Sequence, residues 1–108
     1  MKLHFHSTRI EKRCDNALRE YGDQIGKKLL QRLKELHAFV TLADIPHVPP
    51  HRRHMLTGDR KGQFAVDVKD GYRVVFVPCG EFQAKADGSV DMKTVTEITI
   101  LNVEDYHA

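Results

Sequence analysis

Phe64-Ala65-Val66-Asp67-Val68-Lys69-Asp70-Gly71-Tyr72-Arg73-Val74-Val75-Phe76-Val77 alternates apolar and polar residues up to an Asp-Gly pair, then resumes as a second β-rich run. Two-residue hairpin turns need positive φ at both central positions, and Asp-Gly meets that need at low cost. An antiparallel strand pair is therefore predicted over residues 64–77, and the other elements are read outward from it.

Upstream, Leu3 and Phe5 alternate with His4 and His6 as a short strand with one buried face. Thr8-Arg9-Ile10-Glu11 has the capping-box form, and Ile10, Cys14, Ala17, Leu18 and Tyr21 follow at helical spacing to Gly22. Asp23 can cap a second helix, whose stripe is Ile25, Leu29, Leu33, Leu36 and Val40. Lys27, Lys28, Gln31, Arg32, Lys34 and Glu35 lie elsewhere on its surface. This helix must stop before Pro46, and Pro49-Pro50 is expected to keep the next segment extended.

Downstream, residues 78–93 are rich in Gly, Pro, Asp and Lys and read as a long loop or an extended hairpin tip. Residues 94–103 form the last strand. There Ile98 and Ile100 share one face while Leu101 and Val103 share the other, a slip that a bulge or burial on both faces would explain. The order βααβββ predicts an α+β domain with two N-terminal helices packed on one face of a small, mainly antiparallel sheet.

The 108 residues fit one domain, 1–108, and 41% hydrophobic with 30% charged residues is a globular composition. No apolar run approaches the roughly 20 residues of a membrane span, and the first residues lack a signal-peptide pattern, so a cytoplasmic protein with no membrane partner is expected. Cys14 and Cys79 form no metal-type pair and are read as reduced thiols. There is no P-loop, Rossmann glycine fingerprint or GxSxG elbow, so nucleotide hydrolysis, redox and serine-hydrolase readings have no support and no cofactor is expected.

Two clusters carry candidate chemistry. The first, His51-Arg52-Arg53-His54-Met55-Leu56-Thr57-Gly58-Asp59-Arg60-Lys61-Gly62, sets four cations against Asp59 alone. The second is Glu104-Asp105-Tyr106-His107. Cleaving RNA without a metal needs a base for the 2′-hydroxyl, a cation for the pentavalent phosphorane and an acid for the leaving 5′-oxygen. His54 and His107 are the candidates for the proton roles, because imidazole titrates near neutral pH. Arg73, on the return strand, is placed to hold a phosphate through two hydrogen bonds. Asp105 could orient an imidazole or accept a proton, and Tyr106 could stack on a base or bond a phosphate. Arg52, Arg53, Arg60 and Lys61 are the expected RNA-binding cations.

Blander readings stand beside these. The basic cluster could be a solvated loop, Arg73 a salt-bridged face residue, and the last residues a frayed end. His51 and His54 with Asp59 or His107 could make a metal ligand set, but no cysteine pair or HExxH helix supports one and no metal is expected. His4, His6, His37 and His47 are set aside.

In His54-Met55-Leu56-Thr57-Gly58-Asp59-Arg60-Lys61-Gly62-Gln63-Phe64, then Tyr72-Arg73-Val74-Val75-Phe76, then Val103-Glu104-Asp105-Tyr106-His107, the chain resembles the RelE/ParE toxin superfamily, and within it the HigB, or plasmid-maintenance killer, branch. The resemblance covers residues 46–107 in motif detail and the order of the preceding helices. It implies a type II toxin that cuts messenger RNA on the ribosome without a metal and is held inactive by a helix-turn-helix antitoxin, with DNA met only through that antitoxin. It also implies that His54, Arg73, Asp105, Tyr106 and His107 form the catalytic group. HigB toxins commonly carry lysine just before the Gly-Asp-Arg turn, where this chain has Thr57. That departure favours an alternative, a catalytically silent module of the same fold acting on a protein such as DNA gyrase.

Overall fold

The computed structural model describes residues 1–106 of the chain. In chain order the elements are β1 (Lys2–Phe5), α1 (Thr8–Asp15), α2 (Ala17–Ala38), β2 (His54–Met55), β3 (Phe64–Asp67), β4 (Tyr72–Pro78) and β5 (Glu97–Asp105). Single 3-10 turns lie at Leu42–Asp44, Gly58–Arg60 and Met92–Thr94. The strands form one sheet in the order β1-β5-β4-β3-β2; only β1 and β5 run parallel. The α+β architecture expected from the sequence is present, with β2 as an additional strand. Two residues give no period to read, so β2 leaves no trace in the apolar pattern.

At the central hairpin, Asp70 (φ 49°) and Gly71 (φ 83°) are both left-handed, and Tyr72 N–H donates to Lys69 O at 3.0 Å. The slip in the last strand is a bulge. Val75 pairs with Asn102 while Phe76 pairs with Ile100, which leaves Leu101 as the extra residue. Leu101 then packs on a small second apolar cluster of Leu56, Ala65 and Val75. Within the 78–93 stretch, Ala84 bridges Val90 and Lys85 N–H donates to Ser89 O at 2.7 Å, so the tip is a hairpin.

The main core lies between the helices and the other sheet face. Leu29, Leu33 and Leu36 of α2 meet Phe64, Val66, Val74, Phe76, Ile98, Ile100 and Val103, with the Phe64 and Phe76 rings stacked at 6.0 Å. Each fully buried side chain of this size contributes about 1.5–3 kcal/mol.

Four local expectations are corrected. Ser7, not Thr8, caps α1, its hydroxyl accepting from Ile10 N–H at 3.2 Å. The helix break expected at Gly22 is a kink (φ 82°, ψ 168°) inside α2. Val40 lies beyond the end of α2 and is 71% exposed, because Phe39 is already extended. The segment after Pro46 turns back on itself, with Arg52 N–H bonded to Val48 O at 2.9 Å and Arg53 N–H to Pro46 O at 3.0 Å.

Gly26 marks the closest approach across the kink. A Cβ there would sit 2.6 Å from both Ala17 O and Leu18 Cα. Backbone atoms cannot yield cheaply, so Gly26→Ala should cost about 1–3 kcal/mol in a denaturant titration. An unchanged midpoint would mean that the two helical segments are not in contact.

Candidate active site

Strand alternation decides which side chains leave the core. Val74 and Phe76 face the helices, so Arg73 projects from the opposite face, where the pairing register sets Asp67, Arg73 and Glu104 in one row across β3, β4 and β5. Arg60 reaches the row from its 3-10 turn, Arg52 from the loop before β2, and Tyr106 from the end of β5.

Glu104 holds two of the arginines. Its carboxylate accepts from Arg60 Nη1 at 3.0 Å and Nη2 at 2.5 Å, and its Oε1 also accepts from Arg73 Nε at 3.3 Å and Nη2 at 3.1 Å. The bonds from Arg60 are the main reason its carboxyl titrates below the usual range; they outweigh burial, and Arg73 adds to them. Asp67 holds the third arginine, accepting from Arg52 Nε at 2.7 Å and Nη2 at 3.0 Å, and from the Tyr106 hydroxyl at 2.9 Å. Burial pushes the Asp67 carboxyl up, but the bonds from Arg52 and Tyr106 prevail and its value falls.

Both carboxylates therefore stabilise the folded state fully above the unfolded value near about 4 and lose that contribution as the pH falls below it. Acid denaturation of Asp67→Asn should show a shallower loss of stability between about pH 5 and 2 than the unsubstituted chain. Identical slopes would show that the Arg52 pair adds nothing to stability.

Tyr106 is tied in by four contacts. Its N–H donates to Gly71 O at 2.9 Å, its hydroxyl sits between Asp67 and Arg52 Nη2 (3.2 Å), and its ring lies 4.6 Å from Arg73 Cζ. A guanidinium over a ring face is attractive, so Tyr106 also fixes the plane of Arg73. The frayed-end reading fails for this residue. Asp105 closes β5, exposed and opposite Tyr72 in the register. His107 lies outside the described residues.

His54 stands on β2, half-buried, with Nδ1 2.8 Å from Arg52 O. A carbonyl only accepts, so Nδ1 carries the hydrogen and the neutral ring keeps its lone pair on Nε2, the arrangement a general base requires. Arg52 itself has φ 46°, a conformation rare outside glycine, so the carbonyl that orients His54 belongs to a constrained residue.

The expected RNA-binding cations separate. Arg52 and Arg60 join the row, whereas Arg53 turns inward and donates from Nη1 to the carbonyls of Leu42 (3.1 Å), Ala43 (3.2 Å) and Ile45 (2.5 Å). Those carbonyls, at and just after a 3-10 turn, occupy a guanidinium that the sequence presents as part of a basic run. Lys61 is exposed beside a hollow of about 270 Å³ formed with Met55, Gly62 and residues 87–90 of the hairpin tip.

Sequence reasoning missed Arg32. It is 2% exposed, donates from Nε to Asp67 O at 2.8 Å and from Nη1 to Glu35 at 2.6 Å, and so fastens α2 to the end of β3 that carries Asp67. Buried His51 lies beside this anchor, its Nε2 3.2 Å from Glu35 but outside hydrogen-bond geometry. The available signal was spacing, since Arg32 falls three residues after Leu29 and four before Leu36, on the flank of the apolar stripe. Among the described residues no group of three His, Cys, Asp or Glu side chains is arranged to hold a metal, and no helix is long and apolar enough to cross a membrane.

No family model matches the chain, and no curated protein matches its sequence. Solved structures do. A YoeB/ParE toxin from Agrobacterium tumefaciens superposes with a TM-score of 0.60 at 12% identity, covering 99% of this chain and 100% of that one. The fold is that of the YoeB/ParE-type toxins. A copper-bound mutant toxin from Helicobacter pylori (TM-score 0.60, 17% identity, 98% and 94% covered) shares it. So does the YoeB of a YoeB–YefM complex from Staphylococcus aureus (0.56, 13%, 100% and 98% covered). At such identities the toxin fold is shared while residue roles are not transferred, so roles in this chain rest on its own geometry. In this toxin fold the arginine row occupies the sheet face that the helices leave bare.

Proposed function

We propose that the chain is a type II toxin of the RelE/ParE superfamily, of the HigB-like kind, and that it cleaves messenger RNA on the ribosome. The observation that carries this reading is the convergence of Arg52, Arg60 and Arg73 with Tyr106 beside a histidine whose Nε2 is set up to accept a proton. In the reaction, Nε2 of His54 takes the proton of the 2′-hydroxyl, the 2′-oxygen attacks phosphorus, and the P–O5′ bond breaks. Arg73 and its neighbours hold the non-bridging oxygens as charge builds on them. His107, two residues after Asp105 in the sequence, is assigned the proton delivered to the 5′-oxygen. The products are a 2′,3′-cyclic phosphate and a 5′-hydroxyl, and no cofactor enters this balance.

Arg52 and Lys61 are assigned to flanking phosphates and Arg60 to the phosphate that Arg73 holds; Arg53 serves the fold. Tyr106 presents an exposed ring edge to a base. As the Staphylococcus aureus YoeB is found with YefM, an antitoxin partner is proposed here, of helix-turn-helix type. The proposed site of action is the cytoplasm.

Inducing the chain in cells and mapping messenger RNA ends tests the proposal. New 5′-hydroxyl ends within translated frames are expected. Growth arrest with intact messages and inhibited gyrase supercoiling would replace this reading with the binding-module one.

A further inference from the structure

Glu104 accepts from two guanidiniums, and no role in the reaction above has been given to it. It takes the Nε–Nη2 edge of Arg73 and the Nη1–Nη2 edge of Arg60, while Arg60 Nε is bonded to Gln63 at 3.2 Å. One face of the Arg73 guanidinium is covered by the Tyr106 ring at 4.6 Å. The edge through which Arg73 would grip a phosphate is therefore already filled by Oε1 of a carboxylate whose two oxygens fork onto Arg60. Arg73 and Glu104 side chains are only 15% and 21% exposed, so a second anion has little room beside the first.

The charge balance points the same way. Arg52, Arg60 and Arg73 face Asp67 and Glu104, a net excess of a single positive charge. Of the two carboxylates, Asp67 is also held by the Tyr106 hydroxyl, whereas Glu104 is bonded through the two arginines alone among the contacts described. An incoming phosphodiester that takes over both guanidiniums offers them the same bonds and releases Glu104 toward solvent.

We propose that Glu104 is a built-in stand-in for the substrate phosphate, holding Arg60 and Arg73 in their binding geometry until a phosphodiester displaces it. This rests on the ribonuclease reading for the identity of the anion. In the free protein Glu104 keeps two half-buried cations paired and prealigned, and it makes the site weak toward stray anions. It is a positioning residue that acts through Arg73.

Sulfate is a suitable probe, being tetrahedral and of fixed charge near neutral pH. By calorimetry, Glu104→Gln should bind sulfate roughly tenfold more tightly than the unsubstituted chain, because a competing charge is gone while an acceptor remains. Glu104→Asp, which keeps the charge, should stay within about threefold. Asp15→Asn, an exposed carboxylate at the end of α1 on the helix side of the sheet, should not move. A purely structural Glu104 would give loss of affinity on substitution, never gain. Unchanged or weaker sulfate binding by a folded Glu104→Gln, or equal gains in Glu104→Asp or Asp15→Asn, would overturn the proposal.

If Glu104→Gln does not fold, the carboxyl carbon resonance of Glu104 in the unsubstituted chain decides. It should move saturably as sulfate is added, and a resonance that stays put at saturating sulfate would sink the idea. Sulfate exchange asks nothing of RNA chemistry. A chain that shows it yet leaves messenger RNA intact fails the ribonuclease reading alone.

Discussion

His54→Ala should slow messenger RNA cleavage by roughly two to four orders of magnitude, the usual contribution of a positioned base. The ring's orientation sets this expectation. With Nδ1 bonded to Arg52 O at 2.8 Å, the lone pair lies on Nε2, and the substitution removes that proton acceptor while keeping every side chain of the arginine row. Stability should change little, since His54 is half-buried on a two-residue strand at the sheet edge. His54→Gln, which offers an amide but no base, should be as inactive as the alanine variant. Near-normal cleavage by either folded variant would remove His54 from the chemistry.

Arg73→Ala should be equally severe, with Arg73→Lys recovering only part of the loss. Arg73 presents its guanidinium edge to an anion and its face to Tyr106, and an ammonium can supply charge but neither the parallel bonds nor the planar stacking. The alanine variant also leaves the Tyr106 ring without its cation, so the loss should appear in the rate of bound substrate as well as in binding. Single-turnover cleavage by the lysine variant at the unsubstituted rate would mean that Arg73 acts as a point charge.

Those features of the fold that depend on local periodicity are legible in the sequence. The Asp70-Gly71 turn, the α2 stripe of Leu29, Leu33 and Leu36, and the broken alternation around Leu101 all stand where the residues place them. What could not be read is tertiary pairing. Composition gives Arg53 and Arg60 the same weight, yet Arg53 satisfies carbonyls of a 3-10 turn eight to eleven residues away in sequence and Arg60 meets Glu104 across 44 residues. Arg32 looks like a solvent-side helix residue until the end of β3 and the residue after it supply carbonyls. Tyr106 looks like a loose end because the apolar pattern stops at Val103, whereas polar contacts alone fasten it. The same contacts change what truncation tests: removing Tyr106 would disturb Arg52, Asp67 and Arg73 together, so the role of His107 is better probed by substitution.

The central claim is that the 2′-hydroxyl of the message is the nucleophile and that this site activates it. The most direct measurement uses ribosomes programmed with a short message carrying a single 2′-deoxy nucleotide immediately 5′ of the mapped cleavage point. The all-ribose message should be cleaved to a 2′,3′-cyclic phosphate, with no detectable cleavage of the deoxy message bound at the same level. Cleavage of the deoxy message at a comparable rate would contradict the claim.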